Sequence, residues 1–120
     1  MTKEEYAAQA VQYKHCGCNC CQAVVRAFLG DDAQLMSIAS GFGMGMGCMQ
    51  ATCGALAGAC MVLGAKGKGR YARVLHARFE ELSGASICGE LKGKNTGIAL
   101  ASCDECVRNA ALAAAEILDS

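Results

Sequence analysis

The sequence predicts an all-α protein, a compact bundle of about five to six helices with a glycine-rich central loop. Three observations lead there. The 120 residues contain no proline, so nothing forces a break inside a helix. The apolar residues make up 53% of the chain, yet they are mostly Ala, Gly, Leu, Val and Cys, with no Trp, three Tyr and three Phe. Small side chains of this kind suit helices packed at close range. Finally, helix-capping signals stand directly ahead of stretches with a 3.6-residue apolar period.

Taken in order, Thr2-Lys3-Glu4-Glu5 is a capping box that opens a first helix to about Lys14, with Tyr6, Ala10 and Tyr13 on one face. His15-Cys16-Gly17-Cys18 reads as a turn. Asn19 caps a second helix, with Gln22 three residues on, and Gly30 ends it. Asp31 or Asp32 starts a short third helix through about Ala39. From Gly41 to Gly47 every second residue is glycine, which suits neither a stable helix nor a packed strand. A long helix is expected from about Gln50 to Leu63, ending at the Gly64, Gly67 and Gly69 cluster. Tyr71, Val74, Leu75, Phe79 and Leu82 mark the buried stripe of an amphipathic helix closed by Gly84. Ser86 to Thr96 reads as a loop with one helical turn. Ser102-Cys103-Asp104-Glu105 is another capping box, opening a last helix to Leu118 whose stripe is Val107, Ala110, Ala111, Ala114, Ile117 and Leu118. No strand pattern or internal repeat emerges, and residues 1–120 read as a single cysteine-rich helical domain.

Lysine plus arginine equals aspartate plus glutamate at eleven each, so no overall charge excess points to nucleic acid or an anionic membrane. The opening residues lack the basic-then-apolar order of a secretory leader, and the longest apolar stretch, Ala51 to Ala65, is short of a membrane span. A cytoplasmic protein without membrane insertion is expected. In a reduced compartment, ten cysteines in a chain of this length indicate metal or redox chemistry. Some of the ten are expected to be ordinary small core residues.

Helical spacing places several of them. Cys20 shares a face with Val24, Ala27 and Phe28; Cys53 and Cys60, seven apart, stack on one side of the long helix; Cys103 and Cys106 join the stripe of Val107 and Ala110. Cysteines from three helices are therefore predicted to point inward. Cys20 and Cys103 also follow directly on caps, where unpaired N–H groups and the helix dipole favour thiolate, the metal-binding form.

The stretches Asn19-Cys20-Cys21-Gln22-Ala23-Val24, Gly41 to Gly47 and Cys53-Gly54-Ala55-Leu56-Ala57-Gly58 resemble the family of redox-active proteins named for their C-GCAxxG-C-C pattern. The likeness runs from about Asn19 to Leu118. It implies that Cys20, Cys53, Cys88 and Cys103 are the defining four. A related domain in split-Soret cytochromes holds a 2Fe–2S cluster, so the resemblance implies an iron–sulfur cofactor on these residues, with Cys88 supplied by the resemblance alone. Thr52 stands before Cys53 where the pattern's name suggests a glycine–cysteine pair. Cys16, Cys18, Cys21, Cys48, Cys60 and Cys106 are additional and form a secondary set of candidate ligands. The glycine-rich segment has two readings, a backbone that passes close to a cluster and a tight connection between packed helices.

The leading expectation is an electron carrier or redox sensor rather than a substrate-converting enzyme, working with a redox partner protein. A homodimer is compatible with the abundance of small residues. Two alternatives stand beside it. One is Cu(I) or Zn storage or chaperoning, through the Cys16–Cys21 tract or through Met44, Met46 and Met49 near Cys48. The other is thiol–disulfide exchange through Cys103 and Cys106 or the Cys20–Cys21 region. The lysines and arginines of the middle of the chain, Lys92 among them, read as a solvated face.

Overall fold

The computed structural model describes residues 1–94 and 96–119. It contains seven α-helices among these residues: α1 (Lys3–His15), α2 (Cys20–Leu29), α3 (Ala33–Ala39), α4 (Gly54–Ala65), α5 (Ala72–Ser83), α6 (Cys88–Lys92) and α7 (Cys103–Leu118). The protein is all-α, as its sequence predicts. Among the described residues no helix is long and apolar enough to cross a membrane.

Local chemistry sets the helix starts. Thr2 with Glu5, Asn19 with Gln22, and Ser102 with Glu105 each form a reciprocal capping box, satisfying two otherwise unpaired N–H groups per helix. Asp32 caps α3 through its contact with the Leu35 N–H. Gly84 closes α5 in a left-handed conformation.

Helix α7 lies at the centre and packs against α1, α2, α4 and α5. Val107, Ala110, Ala111, Ala113 and Ala114 are fully buried, and their short side chains let the neighbouring helices approach closely. Helix α4 contributes Leu56, Ala59, Val62 and Leu63 to the same core. At the other face of α2, Cys21 and Val25 form a smaller core with Ala39 of α3. Tyr6 of α1 stacks on Phe28 of α2 with ring centroids 4.3 Å apart, and the Arg26 guanidinium covers the Tyr13 ring.

The structure corrects three expectations. Helix α4 starts at Gly54, not near Gln50, because residues 50–53 leave the helix to pair with residues 86–88. Thr52 and Ile87 form an antiparallel bridge, Cys53 N–H donates to Ser86 O at 2.7 Å, and Cys88 N–H donates to Ala51 O at 3.0 Å. Cys53 therefore caps α4 and does not stack with Cys60, which is only half buried. In α5 the buried stripe narrows to Leu75, Phe79 and Ser83, leaving Val74 at 54% exposure. Tyr71 precedes the helix in a tight turn and packs under Arg70 instead. The glycine-rich stretch is an ordered connection, a short turn at Ser40–Phe42 followed by one wide turn at Gly45–Met49.

The crossing of α2 and α4 depends on Gly58, where a Cβ would lie 2.7 Å from the Cys21 carbonyl oxygen. Gly58→Ala should destabilise the protein by about 1–3 kcal/mol through overpacking against backbone. Gly64 sits in the same helix but faces open space. Gly64→Ala should be stabilising by about 0.4–1 kcal/mol. Urea denaturation of the two variants checks both signs.

Candidate metal centre

Four separate stretches of chain deliver cysteines to one cavity of about 490 Å³. Cys20 is the first residue of α2, Cys88 the first of α6 and Cys103 the first of α7, while Cys53 is the cap of α4. The start of a helix presents N–H groups with no partner inside the helix, and in a long helix it is also the positive end of the dipole. Helices α2, α4 and α7 provide both effects; α6, a single turn, provides the N–H groups. The antiparallel bridge between residues 52 and 87 fixes the two cysteines that flank it, Cys53 opposite Ser86 and Cys88 opposite Ala51.

Cys20, Cys53 and Cys88 are buried and Cys103 is partly exposed. The glycine-rich connection lies directly against them. A Cβ at Gly54 would come within 2.6 Å of Cys20 Sγ and of the Phe42 carbonyl oxygen. At Gly45, whose φ is +57°, a Cβ would come within 2.6 Å of Cys88 Cβ. Glycine is required at both positions by close approach, at Gly45 in the glycine-rich stretch and at Gly54 at the start of α4. Met44 and Met49, both with left-handed backbones, line the cavity wall.

The thiols experience opposing influences. Burial pushes the Cys20 thiol up, and the Met44 N–H works against this. Burial likewise raises Cys88. Cys53 moves the other way, from 9.0 to about 6: a hydrogen bond from the Cys106 thiol is the largest cause, with burial opposing it and the Leu56 and Ala55 N–H groups and the Lys92 ammonium assisting. Cys106, the donor in that bond, is driven strongly upward by the same contact and by burial. Burial works against the Lys92 charge, but the sulfurs of Cys106, Cys103 and Cys53 outweigh it and keep the ammonium protonated.

Of the secondary candidates, Cys106 also lines this cavity. The others lie elsewhere. Cys16 and Cys48 are exposed, Cys18 is half buried near Arg26, Cys21 faces the Met61 sulfur at 3.7 Å, and Cys60 lines a shallow cleft with His76 and Glu80. The Cys16–Cys21 tract is thus spread over several environments, and Met46 is exposed and does not line the cavity as Met44 and Met49 do. His15 bonds Asp104 at 2.6 Å, tying the end of α1 to the start of α7.

Lys92 was read from the sequence as part of a solvated face; the structure places it in the cavity wall with Lys14 and Asn19. A signal existed, since Lys92 is four residues from Cys88 and shares its face once that segment is helical. Among the described residues no group of three or more His, Cys, Asp or Glu stands close enough to grip one metal ion.

The profile of a family described as "putative redox-active protein (C_GCAxxG_C_C)" matches residues 18–117. No curated protein and no solved structure gives a significant match.

In metal-free protein, thiolate absorbance near 240 nm should show one step with a midpoint near pH 6, lost in Cys53→Ala and displaced upward in Lys92→Met. Because the folded state lowers this thiol, Cys53 contributes stability that is full above its ordinary value of 9.0 and lost as pH falls through about 6. Denaturation midpoints measured from pH 5 to 9 should rise more in the wild type than in Cys53→Ala.

Proposed function

The chain belongs to the C_GCAxxG_C_C family of redox-active proteins, and on that footing we propose that Cys20, Cys53, Cys88 and Cys103 hold an iron–sulfur cluster for electron transfer or redox sensing. The observation that carries this reading is the arrival of four helix-starting cysteines at one cavity. Four thiolates match the ligand count of a two-iron or four-iron cluster. The likeness to the cluster domain of split-Soret cytochromes favours the two-iron form.

A bound cluster supplies one-electron exchange. The protein's contribution is to hold its ligands as thiolates, shield them and set the surrounding charge. Cys53 is already biased toward thiolate by Cys106, the α4 N–H groups and Lys92. Cys20 receives the Met44 N–H. Lys92 places a positive charge beside the sulfurs of Cys103 and Cys106, which favours retention of negative charge in the cavity. The covering segment of Phe42 to Met49 limits water around the buried ligands. A redox partner protein would be needed to deliver or remove electrons.

Anaerobic purification or reconstitution, followed by iron and sulfide analysis and EPR of the reduced protein, tests the proposal. Iron and acid-labile sulfide in equal amounts with a cluster EPR signal are expected. Replacing any one of Cys20, Cys53, Cys88 or Cys103 by Ala should abolish stable cluster, whereas Cys16→Ala, Cys48→Ala and Cys60→Ala should retain it. An iron-free, colourless protein after reconstitution sinks the idea. Binding of more than about two Cu(I) or Zn ions per chain would point to metal storage instead.

A further inference from the structure

The tract from Cys16 to Cys21 carries four sulfurs, two turned inward and two not. Cys20 and Cys21 are buried, whereas Cys16 is exposed and Cys18 half buried. The outer two are separated by Gly17 alone and sit on the turn that closes α1. The N–H groups of Cys16 and Cys18 both donate to the Tyr13 carbonyl oxygen, at 3.0 and 3.2 Å, so the chain curls around one acceptor as in a Schellman ending. Gly17 makes the reversal with φ at +101°, and its Cβ side is open space. Residues two apart span at most about 7.2 Å in a fully extended chain. A curled chain brings them into the range of roughly 4.4–6.8 Å that a disulfide bridges between Cα atoms. The turn is pinned at both ends, by the 2.6 Å contact of His15 with Asp104 and by Asn19, which caps α2 and donates to Ser40 O at 3.0 Å. Closing a bond across Gly17 therefore moves the turn and leaves the helices in place. The Arg26 guanidinium, 4.3 Å above the Tyr13 ring, sets a positive charge beside the same turn.

We propose that Cys16 and Cys18 form an exchangeable dithiol–disulfide pair, a two-electron site outside the cysteine cavity that reacts with small organic disulfides. Neither residue lines that cavity, and the pair draws nothing from the four-ligand assignment. Cys16 is the entering thiol because it is the exposed one. It gives its proton to solvent, and its sulfur attacks one sulfur of the external disulfide. The external S–S bond breaks, the first external thiolate leaves, and a mixed disulfide remains on Cys16. The Cys18 sulfur, its proton also passing to solvent, attacks the Cys16 sulfur and releases the second external thiolate. The two departing thiolates take up two protons. Two protein thiols are oxidised to one disulfide, and one external disulfide is reduced to two thiols. Exposed disulfides are the labile ones, so an external dithiol reverses the reaction. Cys20 and Cys21 follow in sequence but are withdrawn from this exchange by burial.

The experiment uses full-length protein, reduced, exposed to 2-hydroxyethyl disulfide, then unfolded in iodoacetamide and cut with trypsin. The fragment of residues 15–26 carries both thiols together with Cys20 and Cys21. Tandem mass spectrometry should find it bridged between Cys16 and Cys18, with Cys20 and Cys21 alkylated, and dithiothreitol should restore alkylation at all four. Cys18→Ser, checked for native helicity by circular dichroism, should stop after the first step and retain one 2-mercaptoethanol adduct on Cys16. A wild-type fragment with Cys16 and Cys18 both alkylated, or with a lasting adduct on Cys16, overturns the pair. A bridge from Cys18 to Cys20 or Cys21, or from Cys16 to a second chain, overturns it too. Iron content is read on separate samples and bears only on the cluster, since neither Cys16 nor Cys18 is among its proposed ligands.

Discussion

The architecture turns on one electrostatic constraint: four helices begin at the same place. Each beginning presents N–H groups that need acceptors, and three of them add the positive end of a macrodipole. Helices α2 and α7 answer part of that need with their own caps, Asn19 and Ser102. Helices α4 and α6 have no capping oxygen from a side chain. At α4 the Cys53 side chain makes no capping hydrogen bond, but the Leu56 and Ala55 N–H groups favour its thiolate. With the cysteines replaced by alkyl groups, donors would face donors across a cavity of low polarity. The cysteines therefore belong to the logic of the fold as well as to the chemistry of the site.

The segment covering the cavity obeys the same logic. It is too rich in glycine to be held by its own secondary structure, so its conformation comes from contact. Gly43 fits against Asn19, Gly45 against Cys88, and Gly54 beneath Cys20 and Phe42. Between the glycines, Met44 and Met46 adopt left-handed backbones, as Met49 does after them. Each such residue costs about 1–3 kcal/mol and persists only where neighbours over-determine it. The cost is concentrated on the wall of the cysteine cavity, and the Met44 N–H that this geometry turns toward Cys20 is a direct return. The connection is best understood as a shaped cover, not a linker.

Much of this was legible before any coordinates, and the reasons differ by element. Capping boxes at Thr2, Asn19 and Ser102 are local signals, so α1, α2 and α7 were placed nearly residue by residue. Cys20 and Cys103 followed from those caps. The start of α4 was not legible, because nothing in residues 50–53 forbids a helix and they stay out of one for a pairing of residues 51–53 with 86–88. That long-range bridge also makes Cys88 a helix start rather than a loop residue. Cys88 entered through family likeness alone: one helical turn was expected between Ser86 and Thr96, but five residues carry too little periodicity to fix where it starts or which side chains it turns inward. Lys92 was hidden by the same omission. The role of Cys106 was half visible: its spacing from Cys103 put it on the inward stripe, but its contact with Cys53 depends on the docking of α7 against α4.

These pieces combine into a statement about charge. Four thiolates in a small cavity repel one another, and burial penalises each. Hence the metal-free site keeps Cys20 and Cys88 protonated in the neutral range, with negative charge favoured at Cys53, where Cys106, two backbone N–H groups and Lys92 converge. Binding a metal centre through all four sulfurs must therefore release protons, and affinity must climb with pH until those thiols are ionised. On the proposed ligand assignment, the helix ends and the nearby lysines would leave much of the charge of four thiolates unbalanced, and the positive charge of a bound metal centre would have to supply the rest.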